Sequence, residues 1–136
     1  MTQANSFTVR PIGFVRSTLS RRDQAPHQEN EGAPQARLEI LPEFAAALHG
    51  VIVGAEIIVL TWLHLGDRSV LKTHPRDNPR NPLRGVFATR SPDRPNPIGL
   101  HTVTVLEVNT KTGIVVDALE AIDGTPVLDI KPVLSR

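Results

Sequence analysis

The 136-residue chain has no cysteine, which excludes a disulfide framework, thiolate-held zinc, an iron–sulfur cluster and a thiol nucleophile. It has no tyrosine, one tryptophan and four phenylalanines, too few to suggest a stacking platform for single-stranded nucleic acid. Its longest uncharged apolar run, residues 57–63, is far short of the ~20 residues that cross a bilayer, so no membrane partner is expected. The N-terminus, MTQANSFTVRP, lacks the apolar stretch of a secretory signal, and the expected compartment is the cytoplasm. A net charge of +1 does not by itself imply a polyanionic partner.

Proline is what the chain has in quantity, twelve against nine glycines, so much of it is rigid, non-repetitive loop. The length suits a single domain, 1–136, with a core that needs no covalent staples. Charge is unevenly spread. Between Arg68 and Gly99 lie Arg68, Lys72, Arg76, Arg80, Arg84, Arg90 and Arg94 against Asp77 and Asp93, a net +5 that leaves −4 on the rest. Such a segment reads either as a phosphate-facing track or as a solvated loop, and charge alone leaves both open.

Residues 7–17 (FTVRPIGFVRS) read as a first strand with an edge or bulge at Pro11. Residues 18–34 have no period and read as a long loop, followed by a short strand at 36–41. Pro42 opens a helical segment that Gly50 ends. The continuous apolar run over 55–65 predicts a central buried strand. Residues 67–82 are irregular, 85–89 (GVFAT) predict another strand, and 101–108 alternate cleanly, with 113–119 as hairpin partner. Asp123-Gly124 signals a turn before a last strand at 128–134. About seven strands without strand–helix alternation predict a mainly β fold, a small β-barrel with one short helix and long proline-rich loops. Trp62 and Phe87 both fall inside apolar strands and are expected in the core.

Most chemical templates are absent. No GxGxxG follows a strand, and there is no P-loop and no GxSxG. His27, His49, His64, His74 and His101 lack metal-ligand spacing, and no metal is expected. What remains is the loop Arg90-Ser91-Pro92-Asp93-Arg94-Pro95-Asn96-Pro97. Its prolines remove entropy before any ligand arrives, and Arg90 and Arg94 offer donors for carboxylate or phosphate. It reads equally as a stiffened crossover closing one barrel end.

The string GVFATRSPDRPNPIGL over 85–100, with DGTPVLDIKP over 123–132, RPIGFVRS over 10–17 and Trp62-Leu63-His64, resembles the TrmO/TsaA-like (YaeB-like) family of S-adenosylmethionine-dependent tRNA methyltransferases. The resemblance runs through nearly the whole chain. It implies a β-barrel methyltransferase fold, a homodimer with S-adenosylmethionine near the subunit boundary, and tRNA as partner through its anticodon loop. The implied reaction is methylation of the adenine amino nitrogen of threonylcarbamoyladenosine beside the anticodon.

Carried over by position, the cofactor contacts implied are Pro26, His27 and Gln28, His64 with Leu65, Arg90, Leu100, Asp117, Leu119 and Glu120. An adenine amino group is a poor nucleophile that benefits from an acceptor on its hydrogen, and Asn96 and the carbonyls of the loop 95–97 are the candidates for that catalytic role. Arg90 suits the methionine carboxylate and Glu120 the ribose hydroxyls. The chain departs from the family pattern at His27, where arginine is usual, at Glu120, where aspartate is common, and at Val133, where the family has tyrosine. Two other readings stay open: a methyltransferase of this fold with another acceptor, and a cofactor-binding module without chemistry.

Overall fold

Strand β6, Ile98–Asn109, shows why this chain closes on itself. From Gly99 to Val105 every second residue is buried while its neighbours are not, which is the period-two pattern of a strand with one face on a core. In the computed structural model, which describes residues 5–19 and 33–135, the same pattern recurs in β1 (Gly13–Arg16), β2 (Ala36–Ile40) and β3 (Glu56–Trp62), while β7 (Gly113–Val116) is buried at Gly113, Ile114 and Val116 and β8 (Pro126–Pro132) at Val127. These six form a closed antiparallel barrel in the order β1-β2-β7-β6-β3-β8, with β1 pairing β8 to complete it. Closure leaves no barrel edge unpaired. Val15, Leu38, Val59, Val105, Val116 and Val127 are fully buried and fill the interior with branched side chains.

The mainly β expectation holds, with a different inventory at the margins. The first strand is shorter than 7–17: it starts at Gly13, and Phe7 is 92% exposed. The helical segment is a 3-10 helix, Pro42–Leu48, with Leu48 its buried residue. The irregular stretch after residue 67 contains a two-residue strand, β4 (Lys72–Thr73), paired with β5 (Arg84–Gly85) in a separate small sheet.

The strand expected over 85–89 is corrected. Only Gly85 of it is extended in a ladder, and Val86–Ala88 is a 3-10 turn. The reason lies in burial. Val86 is 2% exposed and its amide bonds to the Leu71 carbonyl at 2.9 Å, while Phe87 is 83% exposed, so one anchor rather than an alternating face holds the segment. Phe87 is therefore not a core residue. Trp62 is partly covered, with the Arg68 guanidinium 5.2 Å above its ring. No helix among the described residues is long and apolar enough to cross a membrane.

Candidate functional site

The proline-rich loop is fastened to the chain that follows β3. Leu63 donates from its amide to the Pro97 carbonyl at 2.7 Å, and the Asp67 amide donates to Asp93 Oδ1 at 2.8 Å. Arg68 donates through Nε to the Pro95 carbonyl (2.7 Å) and through Nη2 to Asn96 Oδ1 (2.9 Å). Gly66 lies so close beneath the loop that a Cβ there would overlap the Pro92 carbonyl. Arg94 Nη1 donates to the carbonyls of Thr89 (2.9 Å) and Ser91 (3.1 Å).

These contacts sort the basic residues. Arg68 and Arg94 hold the loop's shape, so they are not free donors for a ligand. Arg90 is exposed and makes no hydrogen bond among the described residues. His64 and Leu65, also exposed, sit in the turn between the two fastenings and so lie beside the loop. Asn96 is exposed, and its carboxamide is oriented by Arg68.

A second constellation lies inside the barrel. Thr61 Oγ1 is 2.7 Å from His101 Nε2, and His101 Nδ1 is 2.5 Å from Glu120 Oε1. Thr61 is completely buried and His101 is 2% exposed. A carboxylate only accepts, so in the neutral imidazole Nδ1 carries the proton and donates to Glu120, while Nε2 accepts from the threonine hydroxyl. Oε2 of Glu120 is buried and has no protein partner. A buried carboxylate oxygen without a donor is costly, which makes this the one polar side-chain atom among the described residues that calls for a ligand.

Sequence reasoning placed Glu120 and missed His101 and Thr61. The inward phase of β6 was the available signal, because a histidine between Gly99 and Val103 on that face must find polar partners.

The segment carrying Glu120 is fixed on both sides. Asp117 Oδ1 accepts from the amides of Thr104 (2.9 Å) and Ala118 (2.8 Å), so that oxygen serves the turn. Leu119 is fully buried, and its amide donates to the Pro34 carbonyl at 3.0 Å. The Asp123 amide donates to the Leu19 carbonyl, and Asp123 Oδ1 accepts from the Ser17 amide at 3.0 Å. Both described flanks of the long early loop are thus tied to the chain immediately before and after Glu120. Pro26, His27 and Gln28 lie outside the described residues. Leu100 is 41% exposed and lies on the outward face of β6, opposite in direction to His101. The structure brings Leu119, Glu120 and the early loop's flanks together, and separately gathers His64, Leu65, Arg90 and Asn96 around the proline loop.

Beside that loop opens a cavity of about 760 Å³ whose lining includes Arg76, Arg84, Phe87, Arg90 and Ser91. No cluster of metal-ligating side chains occurs among the described residues.

Residues 14–136 match the family model described as the tRNA-methyltransferase O N-terminal domain. A probable S-adenosyl-L-methionine-binding protein of Methanocaldococcus jannaschii is 48% identical over 129 residues, covering 92% of this chain and 90% of the relative. One from Methanothermobacter thermautotrophicus is 44% identical over 124 residues, covering 91% and 88%. The crystal structure of TrmO from P. aeruginosa superposes with a TM-score of 0.75 at 32% identity over 98% of this chain. The chain spans 57% of that structure's length.

Proposed function

This chain belongs to the tRNA-methyltransferase O N-terminal domain family, and from that premise we propose that it is an S-adenosylmethionine-dependent methyltransferase acting in the cytoplasm. Its proposed acceptor is the adenine amino nitrogen of threonylcarbamoyladenosine beside the anticodon of tRNA. The observation that carries the cofactor assignment is Glu120: a carboxylate fixed by an imidazole, with one buried oxygen unspent.

Those residues fit the cofactor's chemistry. A ribose offers hydroxyl donors, and Glu120 Oε2 would accept one of them. Arg90, exposed beside a rigid loop, would fork onto the methionine carboxylate. Leu100, the Asp117–Leu119 backbone, His64, Leu65 and residues 26–28 complete the proposed pocket. When bound, S-adenosylmethionine supplies a methyl group on a sulfonium for in-line displacement. The protein's share is positioning and exclusion of water, which loops already stiffened by proline perform at little entropic cost. Asn96, oriented by Arg68, would accept a hydrogen bond from the incoming amine through the second lone pair of its oxygen. That same engagement with Arg68 favours a second reading, cofactor binding without transfer.

The proposal includes a homodimer. Trp62 pairs with Ile98 and Leu60 with Leu100 across the β3–β6 ladder, on the face turned away from the core. Ile98 is 46% exposed and Leu100 41%, and a contiguous outward apolar patch of this kind suits association with a second copy.

The test is nucleoside mass spectrometry of tRNA carrying threonylcarbamoyladenosine, incubated with the chain and S-adenosylmethionine. One added methyl on that nucleoside supports the proposal. Cofactor binding without any methylated nucleoside supports the second reading instead.

A further inference from the structure

We propose that the cavity beside the proline loop is a stacking site for a base of an RNA strand, with Phe87 as the platform and Arg84 as a phosphate contact. The proposal rests on the methyltransferase reading for the identity of the polyanion. It adds a site and residues of its own, none of them among Thr61, His101 and Glu120.

Three observations carry it. The first is the exposure of Phe87, 83%, on the wall of a cavity of about 760 Å³. The second is rigidity, because the ring does not sit on a loose tip. Val86 beside it is 2% exposed, its amide bonds to the Leu71 carbonyl at 2.9 Å, and its carbonyl accepts from both the amide and the hydroxyl of Thr89, each at 3.0 Å. An aromatic ring presented by anchored backbone loses little entropy when a base covers it.

The third observation is charge. Arg76, Arg84 and Arg90 line the cavity, and no carboxylate does so among the described residues. The Arg84 guanidinium, on an exposed residue whose backbone is held in the ladder opposite Thr73, makes no hydrogen bond or ion pair among the described residues. An anionic occupant matches this wall, and an aromatic face set among guanidinium groups matches a chain in which bases and phosphates alternate. An acidic peptide would satisfy the charge and leave the ring uncovered. Arg90 forms the shared edge with the proposed cofactor pocket, so the platform adjoins the place where the methyl donor would be held.

The experiment is fluorescence anisotropy of a labelled, unstructured seven-nucleotide RNA titrated with the full chain. S-adenosylmethionine is titrated calorimetrically into the same preparations. Phe87→Ala is expected to weaken RNA binding by about ten-fold or more, and Phe87→Trp to stay within about two-fold of wild type. Arg84→Ala should flatten the dependence of log K on log salt by about one unit. Phe7→Ala, which removes a phenylalanine that is 92% exposed elsewhere, should change nothing.

RNA affinity unchanged in Phe87→Ala, or no RNA binding by the wild-type chain, overturns the platform. So does a Phe87→Ala variant that alters only the sedimentation mass, since the patch would then be an interface between copies. If S-adenosylmethionine fails to bind while RNA binding still depends on Phe87, the methyltransferase reading fails and the platform stands.

Discussion

Thr61 and Gly99 face each other across the β3–β6 ladder, and the bare Cα of Gly99 makes the room in which the Thr61 hydroxyl meets His101. A Cβ at position 99 would overlap Thr61 Oγ1 and lie 2.8 Å from His101 Nε2. Both neighbours are buried and cannot step aside. Gly99→Ala is therefore expected to cost about 1–3 kcal/mol, as for other overpacked interiors. Urea denaturation measures this, and wild-type stability in the variant would show that the hydroxyl–imidazole contact is dispensable.

Removing His101 leaves the Glu120 carboxylate buried without its donor. His101→Leu should destabilise the fold by about 1–3 kcal/mol, the usual scale for a buried acceptor left without its donor. The double change His101→Leu with Glu120→Leu should be less damaging than the single one, because it removes the stranded charge as well. Both variants should lose affinity for S-adenosylmethionine. A double-mutant cycle by chemical denaturation, paired with calorimetry, separates the packing effect from the binding effect.

Arg68 and Arg84 stand on the same basic segment and should behave differently. Arg68 is spent on Pro95, Asn96 and the Trp62 ring, so Arg68→Ala should lower the melting temperature and loosen cofactor binding without altering the salt slope for RNA. Arg84→Ala should do the reverse. Equal salt slopes for the two variants would return the segment to the role of a solvated loop.

If the outward patch on β3 and β6 is a dimer surface, Leu100→Glu should yield a folded monomer. Analytical ultracentrifugation at tens of micromolar checks this. A wild-type chain already monomeric under those conditions contradicts the assembly.

Much of the barrel was legible because alternation is a strong signal when one face is dry. Residues 101–108 showed it, and β6 extends it back to Gly99, while a register shift between Val105 and Glu107 breaks the phase beyond Val105. GVFAT misled for a physical reason: valine, phenylalanine and threonine have the composition of a strand, but Val86 alone has a core to enter. The stiffness of the proline loop could be read from its residues. Its fastening by Arg68 could not, since charge does not announce its partner. His101 was hidden for a similar reason. Its inward phase is visible in the sequence, but its contact with Thr61 runs diagonally across a glycine and depends on the register of two strands nearly forty residues apart.

Arg90 offers the most direct measurement of the central claim, that this chain binds S-adenosylmethionine through the proline loop and Glu120. Isothermal titration of the cofactor into wild type, Arg90→Ala and Arg80→Ala should show saturable binding in the wild type. Arg90→Ala should lose about 2–3 kcal/mol, the worth of a forked charge-assisted contact. Arg80→Ala, exposed on the same basic segment, should bind as the wild type does. Equal losses in the two variants, or no binding by the wild-type chain, would contradict the account.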